Sequence, residues 1–144
     1  MKNIKALTII TGILQLFTAA GAIPAGLFFV MDPGGHKMGV TTELLISSPF
    51  TTFLIPGLFL LIINGFGNLA GGIITFMKKK AAGPLAIILA WILMLWIILQ
   101  VYWIGYISFL QPLMFSIGLI EAISGYLLYI AVKSRRKKHK RPAA

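Results

Sequence analysis

The chain has 144 residues, of which 58% are hydrophobic and 11% charged, with thirteen basic side chains against three acidic ones. About a quarter of the residues in an average soluble domain are charged, so this composition excludes a disordered chain and an ordinary soluble domain. The sequence contains no cysteine, which excludes disulfides, thiol chemistry and Cys-based zinc sites. We therefore expect one domain surrounded mostly by lipid.

Four apolar stretches are each long enough to cross a bilayer core of about 30 Å at a rise of 1.5 Å per residue. We predict spans at about 6–31, 53–77, 84–106 and 109–132, joined into a transmembrane domain at 1–132. The first stretch is longer than the apolar region of a cleavable signal peptide, about 7–15 residues, so we interpret it as a span. The predicted fold class is an all-α polytopic membrane protein, with four transmembrane helices in an antiparallel bundle.

The connection at 32–52 is the only long one between predicted spans. It begins with Asp-Pro-Gly-Gly at 32–35, in which proline fixes φ and glycine accepts a positive φ, so the first helix is expected to end there. Thr41 or Thr42 is a candidate cap for a short helix that ends before Pro49. Two interpretations remain open: a lid over a cavity, or a connector that rests on the bilayer.

Basic residues are grouped, and their groups predict the orientation. Twelve of the thirteen fall into three blocks, at 2–5, 78–80 and 133–141. Basic residues of short loops stay on the cytoplasmic side, which predicts that both termini and the 78–80 turn are cytoplasmic. The tail at 133–144 is expected to contact anionic lipid through residues 133–141. It lacks stacking aromatic residues, so we expect no nucleic-acid partner.

Several short motifs lie between the end of the first span and Glu121. They are Asp32-Pro33-Gly34, Ser48-Pro49-Phe50, Ile55-Pro56-Gly57, Asn64-Gly65, Gln100-Val101 with Ile104-Gly105, and Ser108-Phe109-Leu110-Gln111-Pro112-Leu113. In combination they resemble a family of small uncharacterised bacterial four-helix integral membrane proteins with no established activity. The resemblance implies a multi-pass protein of the bacterial cytoplasmic (inner) membrane and indicates no particular chemistry.

Glu121 is the only charged residue within the predicted spans and lies near the middle of the fourth. An acid at this depth costs roughly 2.5–3.5 kcal/mol on insertion scales, and no basic residue of a predicted span is available to pair with it. Such residues are retained for packing or for function. We expect Glu121 to be protonated and hydrogen-bonded, or else to face water or a bound cation.

Other polar side chains of the spans extend this candidate binding site. Gln15, Asn64 and Glu121 fall at similar depths, so a mid-membrane polar layer is predicted, with Asn68 one turn from Asn64. Gln100 and Gln111 are expected to pair in a shallower layer. The predicted binding residues are Glu121, Asn64, Gln15, Asn68, Gln100 and Gln111.

Two functional classes remain open. The first is a non-enzymatic packing, accessory or partner-binding module, in which these polar groups join helices and the Gly67-x-x-x-Gly71 motif serves the bundle or a homo-oligomer. The alternative is a carrier or channel for a small solute, a lipid or an ion that uses Glu121. The sequence has no Ser-His-Asp, paired-carboxylate or HExxH pattern, and His36 and His139 are predicted on opposite sides of the membrane. We therefore expect no enzymatic activity, no metal and no cofactor.

Overall fold

The structure is a computed structural model that describes residues 2–140. Within them it is helical without strands. Four long helices are each long and apolar enough to cross a membrane, which confirms the all-α fold and the number of spans. They are α1 (Lys2–Met31), α2 (Leu54–Phe76), α3 (Ala82–Ile104) and α4 (Leu110–Lys140).

The first and last helices are longer than their predicted spans. The backbone of α1 is already helical at Lys2, and α4 continues past residue 132 to Lys140. Lys and Arg have high helix propensity, and no glycine or proline interrupts the basic segment before residue 140. The predicted limits therefore mark where the apolar sequence ends rather than where the helix ends. Residues 141–144 of the predicted tail lie outside the described residues.

Burial is inverted relative to a soluble protein. The largest fully buried side chains are all polar: Gln15, Glu121, Asn64, Asn68, Thr11, Thr18 and Thr75. Large apolar side chains are exposed instead, for example Ile13 at 55% and Trp91 at 64%. In lipid an apolar surface costs nothing, whereas polar groups need partners between helices. The burial pattern thus agrees with a lipid environment independently of the length and composition of the helices.

Each helix packs against two others, so the four surround a common interior: α1 contacts α2 and α4, and α3 contacts the same two helices. Glycines allow the closest approaches. A Cβ atom added to Gly83 would lie 2.8 Å from the backbone nitrogen of Tyr129, and one added to Gly26 would lie 2.6 Å from that of Leu61. Gly67 and Gly71 both face Leu89 of α3. The predicted Gly67-x-x-x-Gly71 motif therefore packs within the bundle.

The middle of α2 is a π-helix, a feature that was not predicted. It covers Leu60–Gly67, between α-helical segments at Leu54–Phe59 and Asn68–Phe76. The wider π turn interrupts the regular α-helical pattern of backbone hydrogen bonds. Next to it, the side-chain Nδ2 of Asn68 donates a 3.0 Å hydrogen bond to the backbone carbonyl of Asn64. Such segments are rare and occur frequently at functional sites. Here the segment contains Asn64, one of the predicted binding residues.

The predicted turn after α1 is confirmed. Gly35 has φ +83°, its N–H donates to the Asp32 carbonyl at 3.0 Å, and Asp32 Oδ2 accepts a 2.8 Å hydrogen bond from the Lys37 N–H. That backbone hydrogen bond is the main reason why the pKa of Asp32 lies below its ordinary value of 3.8. The N–H of Phe53 donates to the Pro33 carbonyl at 2.9 Å, so the turn is tied to the start of α2.

The rest of the loop folds over one end of the bundle, which we call the loop end and define by residues 32–53 and 105–109. The predicted short helix is a 3₁₀ helix at Thr42–Leu45, and Thr41 precedes it without a side-chain cap. Leu45 is only 5% exposed, and the ring of Phe50 packs edge-on against Trp103 at 5.5 Å. The loop is thus packed against the bundle, in the position of the lid that was one of the two open interpretations.

Candidate functional site

A cavity of about 670 Å³ lies between the four helices at the loop end, within the range of about 300–1,000 Å³ that is typical of small-molecule sites. We call it the loop-end cavity. Its walls are mainly apolar and include Ala22, Phe29, Phe53, Leu60, Leu93 and Ile97. Val40, Leu44 and Leu45 of the loop also line it. The loop therefore covers part of the cavity at the end of the bundle.

The cavity opens on its side. Its exposed lining residues on the helices are Phe17, Ala20 and Gly21 of α1 and Leu110 of α4; Met38 and Ile107 of the loop end are exposed lining residues as well. A Cβ atom added to Gly21 would find nothing nearer than the Met114 methyl group at 3.8 Å. The mouth thus lies between α1 and α4, in the apolar part of both helices, where lipid would surround the protein.

The floor of the cavity is polar. We define it by Thr18 of α1, Asn64 of α2 and Trp96 of α3, which are 2%, 1% and 8% exposed and all line the cavity. Four of their polar atoms have no hydrogen-bond partner among the described residues: Thr18 Oγ1, Asn64 Nδ2 and Oδ1, and Trp96 Nε1. A buried polar atom without a partner costs about 1–3 kcal/mol. A bound molecule whose hydrogen-bonding groups reached these atoms would therefore be stabilised at the floor.

The indole of Trp96 is held in place on the floor. Its ring stacks on Phe59 of α2, with the ring centroids 4.6 Å apart and the planes 25° from parallel. Stacking of this kind fixes the orientation of both rings and therefore the direction of the indole N–H. The donor is thus positioned before any ligand binds.

Gln100 and Gln111 both line the cavity, but their predicted pairing is wrong. The side-chain Oε1 of Gln111 accepts hydrogen bonds from the N–H groups of Ile107 and Ser108, at 2.9 and 3.4 Å, and its Nε2 donates to the Gly105 carbonyl at 3.1 Å. Because α3 ends before Gly105, the short connection has free backbone groups that the Gln111 amide satisfies. Gln100 lies half-buried on the cavity wall.

A second polar region, which we call the polar cluster, lies between α1, α2 and α4. Its hydroxyl groups are paired across helices: Thr75 Oγ1 donates to Gln15 Oε1 at 2.8 Å, and Thr11 Oγ1 donates to Ser124 Oγ at 2.9 Å. Ser124 Oγ in turn donates to the Glu121 backbone carbonyl at 3.1 Å. The cluster therefore consists of Thr11, Gln15, Thr75, Glu121 and Ser124.

The Glu121 carboxyl is completely buried in the polar cluster, next to the Gln15 amide. Neither carboxyl oxygen, nor the Gln15 nitrogen, meets the geometry of a hydrogen bond. Within the described part of the chain, no lysine or arginine forms an ion pair with it. Glu121 does not line the loop-end cavity.

The structure thus separates the six predicted binding residues. Asn64, Gln100 and Gln111 line the cavity, whereas Gln15 and Glu121 belong to the polar cluster, and Asn68 bonds to the backbone of its own helix. Sequence reasoning did not assign Thr18 and Trp96 to a binding site. Thr18 is three residues from Gln15 and Trp96 four residues from Gln100, so helical spacing from the predicted residues would have identified both.

Residues 2–140 contain no group of three His, Cys, Asp or Glu side chains that could hold a metal ion. The chain matches no protein-family model, no curated protein and no solved structure. Its function is therefore inferred from the cavity, the polar cluster and the helices that form them.

Proposed function

We propose that this chain is a multi-pass membrane protein that binds a lipid-like molecule in the loop-end cavity. The observation that carries the proposal is the cavity itself: about 670 Å³, mainly apolar walls, a loop packed over one end and a mouth between α1 and α4. A site that opens sideways in the apolar part of a bundle exchanges with molecules dissolved in lipid more readily than with solutes in water. The binding residues in this proposal are those of the cavity, and Glu121 is not one of them.

The polar cluster has a different role in this proposal. Its side chains join α1 to α2 and α1 to α4, as polar groups commonly do between membrane helices, at about 0.6–1.7 kcal/mol per hydrogen bond. Glu121 then stabilises one arrangement of the four helices. We thus assign the packing role that was expected from the sequence to the polar cluster, and we assign the binding role to the cavity.

The proposed topology is an antiparallel bundle with both termini in the cytoplasm of a bacterium. Lys78, Lys79 and Lys80 are exposed in the turn between α2 and α3, and the basic end of α4 is also exposed. The positive-inside rule places these segments on the cytoplasmic side, and therefore the loop end on the opposite side. Of the basic residues at 133–141 that were expected to contact anionic lipid, those nearest Lys133 would do so in this topology; Arg141 lies outside the described residues.

Replacement of exposed alanines tests whether the cavity holds lipid. Ala20 lies at the mouth, and Ala70 is an equally exposed alanine of α2 that does not line the cavity. We expect native mass spectrometry from lipid nanodiscs to find one retained lipid-like mass on the wild type and on Ala70→Trp, and its loss from Ala20→Trp. Glu121→Gln should retain that mass if the protein stays folded.

Two results would contradict the proposal. One is a wild-type protein that carries no lipid-like mass under conditions that preserve the fold. The other is equal retention by Ala20→Trp and Ala70→Trp together with loss from a folded Glu121→Gln, which would favour a carrier that works through Glu121.

A further inference from the structure

We infer that the molecule in the loop-end cavity is a neutral lipid, with a head of hydroxyl or carbonyl groups, that enters head first and places this head on the floor formed by Thr18, Asn64 and Trp96. This inference rests on the proposed function and specifies its ligand class. Its failure and the failure of the proposed function lead to different results in the experiment below.

The chemistry of the floor defines the head. Asn64 offers two N–H donors and a carbonyl acceptor, Thr18 a hydroxyl that does both, and Trp96 one N–H donor. None of these atoms is used within the protein. The three residues line one cavity and offer both donors and acceptors, so a head that both accepts and donates hydrogen bonds would satisfy more of them than a purely apolar molecule.

The side chains that line the cavity determine whether a bound lipid head can be charged. None of the lining residues is Lys, Arg, His, Asp or Glu. An ion placed among these apolar walls would lose its hydration without gaining an opposite charge, at a cost of several kcal/mol. A phosphate, carboxylate or ammonium head is therefore excluded from the floor, and a neutral head is favoured.

The end of the lipid that enters the cavity follows from where the polar and apolar surfaces of the cavity lie. The floor residues are almost completely buried, whereas the mouth residues Phe17 and Leu110 are 51% and 58% exposed. An apolar tail that leaves through this mouth continues into lipid without exposing itself to water. The opposite direction would put the tail against four unpartnered polar atoms and the head in the apolar mouth.

The inference can be tested with two lipids that share one acyl chain. Monooleoylglycerol has a neutral diol head, and oleoyl lysophosphatidic acid has the same chain with a phosphate. We expect native mass spectrometry of the full chain to show retention of monooleoylglycerol, and at least about tenfold weaker retention of the phosphate lipid, which corresponds to 1.4 kcal/mol or more.

Substitutions at the floor test which residues recognise the head. Asn64→Leu and Thr18→Val remove polar groups while keeping side-chain volume, and each should weaken retention of monooleoylglycerol about tenfold or more. The matched control is Thr75→Val, the same substitution at a buried threonine that bonds to Gln15 instead of lining the cavity. It should retain the lipid, and thermal unfolding of every variant identifies any loss that reflects misfolding.

Fluorescence quenching tests the direction. In a Trp91→Phe, Trp103→Phe background, Trp96 is the only tryptophan of the chain. Monoacylglycerols brominated close to the glycerol should quench Trp96 more strongly than those brominated near the end of the chain. The reverse order would overturn head-first binding.

The remaining outcomes separate the two proposals. If both lipids bind equally and the floor variants bind like the wild type, the cavity holds lipid but the neutral head-first inference is wrong. If neither lipid binds to folded protein and no other lipid-like mass is present, both proposals are wrong.

Discussion

The polar cluster and the cavity floor both contain buried polar side chains, but they differ in whether their hydroxyl groups are paired and in whether they line the cavity. Both use one face of α1, with Thr11 and Gln15 in the cluster and Thr18 on the floor. In the cluster every hydroxyl donates to another helix or to the backbone, whereas the Thr18 hydroxyl has no partner in the protein. Burial of a polar group between membrane helices is therefore not by itself evidence of a binding site, and neither is a missing partner, because both carboxyl oxygens of Glu121 also lack one. The floor differs from the cluster in that its residues line the cavity.

Small residues account for part of this difference. The Gln15 nitrogen lies only 2.8 Å from where a Cβ atom of Gly71 would be, and Gly125 approaches Ala86 at 2.9 Å in the same way. Such approaches bring helices close enough for their polar side chains to meet. At the floor the indole of Trp96 and the π segment of α2 line the cavity, and the polar atoms there form no hydrogen bonds with one another.

The largest expected effect comes from the close helix contact at Gly83. Gly83→Leu would force α3 away from the backbone of Tyr129, and we expect the free energy of unfolding to fall by about 3 kcal/mol or more. Gly21→Leu is the control at the cavity mouth, where no atom lies within 3.4 Å of the added Cβ; its stability should stay within about 0.5 kcal/mol of wild type. Equilibrium unfolding in mixed micelles measures the free energy of unfolding of both variants. Equal losses of stability would show that the mouth is as tightly packed as the α3–α4 contact.

Next in size is the exchange of a buried amide for leucine in each region. Gln15→Leu removes the acceptor of Thr75 and the amide beside Glu121, so the free energy of unfolding should fall by about 1–2 kcal/mol. Asn64→Leu removes a side chain without partners and should leave stability unchanged, or raise it, in ligand-free protein. Equilibrium unfolding measures both variants. A larger loss of unfolding free energy for Asn64→Leu than for Gln15→Leu would mean that the floor, and not the polar cluster, stabilises the bundle.

A smaller effect is expected for the two buried threonines. Thr75→Val should destabilise the bundle by about 0.6 kcal/mol, a typical value for one hydrogen bond between membrane helices, whereas Thr18→Val should have no effect in ligand-free protein. A double-mutant cycle of Thr75→Val with Gln15→Leu isolates the bond between them. A coupling energy of zero would mean that this hydrogen bond contributes nothing to stability.

The smallest expected effect is on the stability of the loop that covers one end of the cavity. The Lys37 N–H and the neighbouring His36 hold the pKa of Asp32 below its ordinary value of 3.8. A lowered pKa contributes stability that is fully present above 3.8 and is lost as pH falls through the lowered value. Hydrogen exchange at the Lys37 amide, corrected for its intrinsic pH dependence, should therefore show less protection below pH 3.8, and Asp32→Asn should remove this change. Unaltered protection of the wild type in acid would show that the turn does not depend on the carboxylate.

Composition and spacing were sufficient to predict the four spans, the turn at 32–35 and the burial of Gln15, Asn64 and Glu121. Each follows from a local rule, because lipid selects for apolar length and helical spacing places polar residues on one face. The cavity could not be predicted, since an empty space depends on how four helices and a loop fit together. The capping role of Gln111 depends likewise on where α3 ends, which the apolar pattern alone does not determine.

The continuation of α4 to Lys140 determines how far its charge extends. At 1.5 Å per residue, the helix carries its basic side chains over about 10 Å from Lys133 to its end. Successive residues turn by about 100°, so the charges surround the helix instead of forming one side that could lie on a lipid surface. The screening length in physiological salt is about 8 Å, which is shorter than this arm. In the proposed topology, the charges nearest Lys133 therefore lie within electrostatic reach of the membrane surface, whereas those at the end of the helix are presented to the surrounding solution.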